Sequence, residues 1–196
     1  MEEGNTSWRR DHALAQRALG GDAGAFAEIV KNHQKLVWHM AWRMLQHRQE
    51  AEDCSQEVFL RVHRSLGQYR GDSALGTWIA RVAFTVALRM AQKRKLRLDI
   101  PNDFEPEAAF ERIGSGEDVQ SAHAENEQIA VLHAAIEQLP ALPRTVLGLH
   151  YRDGLAVAEI AAVLDCPEGT VKSHLNRGRN RLKAALSHLE AAHVRA

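Results

Sequence analysis

Apolar residues recur at intervals of three and four along most of the chain. In Phe26, Ile29, Val30, His33, Val37, Met40, Ala41, Met44 and Leu45 this spacing predicts a long amphipathic helix. The break at Gly20-Gly21-Asp22 precedes it, with Asp22 placed to cap its first turn. A second helix is predicted from about Glu50 to Leu66, burying Ala51, Cys54, Val58, Val62 and Leu66. The turn-prone run Tyr69-Arg70-Gly71-Asp72-Ser73 follows, then a third helix from about Leu75 to Leu98. No segment alternates apolar and polar residues for long enough to make a strand.

Periodicity lapses over residues 99–127, where Pro101, Pro106, Gly114 and Gly116 lie among acids. That composition reads as a flexible linker, with room for a short helical turn around Ala108 to Ile113. Helices resume over about Glu125 to Leu139, Arg144 to Arg152, Val157 to Leu164 and Glu168 to Leu189. The last two flank the tight break Asp165-Cys166-Pro167 and form a helix-turn-helix pattern. Pro167 suits the first turn of the final helix, where a missing N–H costs nothing. The expected fold class is all-α: two small helical domains, residues 1–98 and 128–196, joined by an acidic linker over 99–127.

Charge sharpens this division. The 196 residues carry 25 Lys and Arg against 25 Asp and Glu, a formal neutrality that speaks against nucleic acid only as a total. Residues 1–98 hold 16 bases and 10 acids, a net of +6. Residues 99–127 hold one base and nine acids, a net of −8, and residues 128–196 hold eight bases and six acids, a net of +2. Two basic bodies joined by an acidic strap fit an anionic partner, with the strap able to shield the basic faces.

Other classes are excluded in turn. The weakly charged stretch Ala74 to Leu88 is too short for a bilayer and carries Arg81, so no membrane contact of its own is expected. The N-terminus lacks the apolar core of a signal peptide, and the chain reads as cytoplasmic with reduced thiols. Cys54 and Cys166 stand far apart and the 11 histidines are scattered, so no metal site and no cofactor are expected. Cys54 sits at an apolar helical position and Cys166 in a turn, which favours packing and turn chemistry over the competing reading as redox sensors. Nothing pairs a nucleophile with a base or cradles a phosphate on glycines, so no catalysis is expected.

The final helix carries the clearest chemistry. At 100° per residue Val171, Leu175, Gly178 and Leu182 fall within about 60° and form the buried stripe. Gly169, Ser173, Asn176, Arg177 and Asn180 lie opposite, flanked by Lys172, Arg179 and Lys183 on one side and by His174 and Arg181 on the other. Five Lys and Arg fall between Lys172 and Lys183, with no acid. Arginine and asparagine read guanine and adenine edges in the major groove, whereas lysine and serine suit phosphates. A second basic run, Arg89, Lys93, Arg94, Lys95 and Arg97, follows Tyr69, Ser73, Thr77, Trp78, Phe84 and Thr85. Cations beside aromatics suit unpaired bases. Trp78, Val82 and Val86 at four-residue spacing read alternatively as core.

The order of these pieces resembles the extracytoplasmic-function sigma factors, the group 4 initiation subunits of bacterial RNA polymerase. In the first half the resemblance rests on AEDCSQEVFLRVHRSL (51–66) and YRGDSALGTWIARVA (69–83). In the second it rests on LPALPRTVLGLHYRDGLAVAEIAAVLDCPEGTVKSHLNRGRNRL (139–182). The latter alone is similar to response-regulator DNA-binding domains, but those should begin with an alternating α/β receiver, and this chain does not. The resemblance implies a region 2 helical bundle in the first domain and a region 4 helix-turn-helix in the second.

It also implies roles by position. Asp53, Gln56, Glu57, Phe59, Leu60 and Arg64 match the surface that docks on the coiled coil of the largest subunit of core RNA polymerase, with Arg61 on or near it. Tyr69, Arg70, Ser73, Thr77, Trp78, Arg81, Thr85, Arg89, Lys93 and Arg94 match the elements that take up the −10 element of promoter DNA. Lys172, Ser173, Asn176, Arg177, Arg179, Asn180 and Lys183 match the reader of the −35 element. Phe84, Thr85 and Arg89 depart from residues common in the family, which bears on the −10 preference. The family also implies regulation by an anti-sigma factor. Two readings compete from the residues alone: a stand-alone helix-turn-helix transcriptional regulator, and a protein-interaction adaptor with no DNA role.

Overall fold

The computed structural model describes residues 2–97 and 132–193. The acidic segment 99–127, its suggested helical turn included, lies outside them. The chain divides into two compact units.

The first unit is a bundle of four helices: α1 (Glu2–Leu19), α2 (Ala23–Leu45), α3 (Arg48–Ser65) and α4 (Leu75–Arg97). Helix α2 is its hub and packs against the other three. Ile29, Val37, Met40, Met44 and Leu45 of α2 are fully or almost fully buried against Val58, Val62, Leu75 and Ile79. Each side chain of this size removed from water contributes roughly 1.5–3 kcal/mol. The predicted cap is present: Asp22 Oδ1 accepts from the Ala25 N–H at 3.0 Å, and Asp22 Oδ2 pairs with Arg17 at 2.7 Å. Those bonds, the Arg17 one foremost, hold the Asp22 carboxyl below the usual carboxylate range. Gln46 ends α2 in the left-handed region at φ 49°, and the next residue, His47, accepts from the Glu50 N–H at 3.3 Å to start α3.

Helix α1 was not anticipated from the sequence. Its apolar positions are few, and Leu14 and Ala15 are the ones it buries among residues with described side chains. It contributes Asp11, whose Oδ2 accepts from the backbone N–H of Leu75 at 3.2 Å and so caps α4 from 64 residues away.

Helix α4 buries Leu75, Ile79, Ala80, Ala83, Phe84, Val86, Ala87 and Ala91. The alanines let it approach α2 and α3 closely. The stripe predicted through Trp78, Val82 and Val86 holds only at Val86; Trp78 and Val82 are half-buried. The buried face is centred one position further along, on Ile79, Ala83 and Ala87, because small residues can fill a tight helix contact that Trp78 cannot.

The chain resumes as a helical segment over residues 132–137, then α5 (Ala141–Leu147), a π-helical turn (Gly148–Arg152), α6 (Val157–Leu164) and α7 (Glu168–His193). Arg144 is buried in α5 and donates to the carbonyl of Glu137, tying the preceding segment down. Burial pushes its guanidinium down to about 10, against the opposing charge of Glu137, so it stays cationic at neutral pH. Between α6 and α7, Asp165 takes a left-handed φ of 55° and the Cys166 N–H returns to the Ala161 carbonyl at 3.1 Å. Pro167 stands one residue ahead of α7, its carbonyl accepting from Thr170 at 3.0 Å. Among the described residues there is no strand, and no helix is long and apolar enough to cross a membrane.

Candidate nucleic-acid interface

Helix α7 is seated by its close contact with α5. Gly178 is buried, and a Cβ there would lie 2.7 Å from Leu147 Cδ1, so any larger residue would require the Leu147 side chain to shift. Val171 and Leu175 are buried on the same face, as predicted, while Leu182 is half-buried. His174, expected beside the open face, is 3% exposed and belongs to the seat. It precedes Gly178 by one turn, so its ring is drawn in with the glycine. The opposite face presents Lys172, Asn176, Arg177, Arg179, Asn180 and Lys183 to solvent, with Ser173 half-buried. Lys172 pairs with Glu168 at 3.6 Å across one helical turn, an exposed contact of little weight. Arg179 is held more firmly: its Nε donates to the Tyr151 hydroxyl at 2.8 Å, and its Cζ lies 5.6 Å from the centre of that ring.

In the first unit, the run Tyr69–Ala74 enters α4. Tyr69 is 5% exposed and donates its hydroxyl to the Ser73 carbonyl at 2.8 Å, closing the loop on itself. Its ring meets Trp78 at 5.7 Å and His12 at 6.3 Å. Burial, with the charges of Asp11 and Asp72, raises its hydroxyl pKa. Tyr69 and Thr77 therefore shape the loop from within, while Arg70 is exposed and Trp78 and Ser73 are half-buried. Arg81, Thr85, Arg89 and Lys93 follow at four-residue spacing along α4, and all but Thr85 are exposed. Thr85 Oγ1 donates to the Arg81 carbonyl at 2.9 Å.

Arg94, grouped with that cationic row in the sequence, turns the other way. Its Nη1 donates to the Leu45 carbonyl at 3.2 Å and lies 3.4 Å from Glu50 Oε2. It closes the C-terminus of α2 and ties α4 to the start of α3.

On α3, Asp53, Gln56, Leu60 and Arg64 are exposed along one side, Leu60 to 52%. Glu57 is half-buried and accepts from Arg61 Nε at 2.7 Å. Gln56 and Phe59 line a groove of about 470 Å³ between α2 and α3, across from Val30, Trp38 and His39. Trp38 stacks on Trp42 with ring centres 6.4 Å apart. The one sequence signal for this tryptophan pair is its i, i+4 spacing on a single helix. Among the described residues no cluster of three or more His, Cys, Asp or Glu could hold a metal ion.

The same division into a bundle and a helix-turn-helix appears in the comparisons. Residues 29–97 match the family model for Sigma-70 region 2, and residues 129–182 match that for Sigma-70, region 4. The RNA polymerase sigma-H factor of Pseudomonas aeruginosa is 36% identical over 187 residues, covering 92% of this chain and 95% of its own. The ECF RNA polymerase sigma-E factor of Escherichia coli is 33% identical over 179 residues, covering 88% and 92%. The sigma factor RpoE of Bartonella quintana, solved in complex with the anti-sigma factor NepR, shares the fold with a TM-score of 0.64 and 20% identity, over 83% of this chain and 96% of that one. A bundle that closes a loop onto a basic helix, a helix-turn-helix with an acid-free outer face, and two near full-length relatives lead to one assignment: this chain belongs to the sigma-70 family of RNA polymerase sigma factors, in its extracytoplasmic-function group.

Proposed function

We propose that the chain reads a two-part promoter while bound to core RNA polymerase, and that the polymerase supplies all the chemistry. The observation carrying this is the outer face of α7, where Lys172, Asn176, Arg177, Asn180 and Lys183 stand exposed opposite the buried Val171–Leu175–Gly178 seat. A rigid helix with arginine and asparagine on its open side suits the major groove of the −35 element.

The remaining roles follow from chemistry. Arg81, Arg89 and Lys93 provide a row of cations for the phosphates of the −10 strand, beside a loop shaped by Tyr69, Thr77 and Trp78. Extruding a base costs a few kcal/mol, and a self-closed loop next to that row is the place to recover it. Asp53, Gln56, Phe59, Leu60 and Arg64, with Glu57 braced by Arg61, form the docking surface for the coiled coil of the polymerase's largest subunit. Arg94 acts inside the bundle instead of on DNA. The protein works in the cytoplasm, has no enzymatic activity of its own, and is held inactive by an anti-sigma factor that covers the docking surface.

Transcription in vitro with core polymerase on a genomic library, followed by mapping of transcript starts, tests this. The expected result is a small set of starts sharing two conserved blocks upstream. A purified holoenzyme that yields no promoter-specific start overturns the reading.

A further inference from the structure

Tyr151 is 64% exposed, an unusual position for a large ring, and it projects from the π-helical turn that follows α5. Its contact with Arg179 on α7 joins residues 28 positions apart through both a hydrogen bond and a ring–cation approach. His150 packs edge-on against the ring at 4.9 Å and is itself within 3.0 Å of the Leu155 carbonyl, so the tyrosine is braced from behind.

The chemistry of the pair is directional. The Tyr151 oxygen accepts the Nε–H of Arg179, which leaves its own hydrogen to donate outward. Arg179, with Nε occupied, keeps the four N–H donors of its two terminal nitrogens. Because Tyr151 engages the guanidinium through its hydroxyl and ring, less side-chain freedom remains to be lost on binding. Arg179 also lies about 70° around the helix from the centre of the buried stripe, at the edge of the reading face and not at its centre. A planar cation preset at that edge by the tyrosine fits a phosphodiester of the duplex backbone better than a base edge.

We propose that Tyr151 and Arg179 form a preassembled clamp for one backbone phosphate beside the −35 element, with Tyr151 a positioning residue for Arg179. The clamp sets the register of α7 in the groove and carries no sequence information. It rests on the reading of α7 as the −35 helix, and its test separates the two.

Holoenzymes reconstituted with the full chain, Tyr151→Phe or Arg179→Ala, are titrated with the mapped promoter duplex and with the same duplex scrambled in its −35 block, over a range of salt. Arg179→Ala should weaken binding about tenfold on both duplexes and lower the salt slope by about 1. Tyr151→Phe, which keeps the ring and removes one exposed hydroxyl, should weaken both about three- to tenfold with the salt slope unchanged. The double variant should bind no worse than Arg179→Ala alone. Replacing backbone phosphates one at a time by methylphosphonate should reveal one position that weakens the unsubstituted holoenzyme but not the Arg179→Ala one. The clamp is overturned if Tyr151→Phe binds like the parent, if the Arg179→Ala loss is confined to the matched duplex, or if no phosphate loses its effect in Arg179→Ala. A parent holoenzyme that does not distinguish the matched from the scrambled duplex would refute the −35 reading itself.

Discussion

Cys54 shows how a bundle removes a reactive group from use. Burial, with the nearby charge of Glu57 adding to it and Arg61 opposing, pushes its thiol up to about 12, so the thiolate needed for alkylation is scarce at neutral pH. Cys166, in the turn before α7, is partly exposed. Iodoacetamide on the native protein should therefore modify Cys166 and spare Cys54 until denaturant is added; equal rates at the two sites would contradict the packing. Gly178 sets the tightest constraint in the second unit. A Cβ at Gly178 would lie 2.7 Å from Leu147 Cδ1, a side-chain tip that can shift, and alanine favours the helix, so Gly178→Ala should change urea-unfolding stability by no more than about 1 kcal/mol. Adding Leu147→Ala in the same chain should cost less than it does alone, because it opens room for the new methyl. At this scale the sequence was partly legible. The period placed Val171, Leu175 and Gly178 correctly, but His174, read as a flank of the open face, is buried. A wheel of ideal angles records direction and not depth, and residues near the boundary are sorted by the shape of what they meet.

Individual helices were the most legible level, since period and turn chemistry alone placed α6 and the approximate start of α4. What escaped was held by contacts distant in sequence. Helix α1 has too thin an apolar stripe to announce itself, yet its Asp11 caps α4. Arg94 read as one more cation in a basic run because nothing local distinguishes it from Lys93; the Leu45 carbonyl that claims it is 49 residues away. Asp11→Ala should lower the stability of the first unit by about 1 kcal/mol, as loss of a helix cap does. Arg94→Met should cost a similar amount and leave promoter binding by the folded holoenzyme within about twofold. A loss of binding as large as that of Arg89→Ala would return Arg94 to the DNA-facing row.

For the whole molecule, neutral charge was the least informative number and its distribution the most informative. The −8 segment over residues 99–127 lies between a +6 and a +2 portion, and shielding of both basic portions makes a measurable prediction. Exchanging its nine acids for Asn and Gln should raise duplex binding by the protein without polymerase, and the gain should shrink as salt rises. Unchanged binding would remove shielding from the account. Sequence pattern could divide the chain because a helix-turn-helix and a basic bundle each leave a local signature. It could not arrange the bundle, whose closure depends on side chains meeting partners 49 and 64 residues away in sequence. One such closure has a kinetic consequence. Helix α4 is fastened near its start by Asp11 and near its end by Arg94, with α2 buried along its length. Neither end is then left to fray alone, so its central amide protons should exchange with solvent through one shared opening of the bundle, at one common free energy.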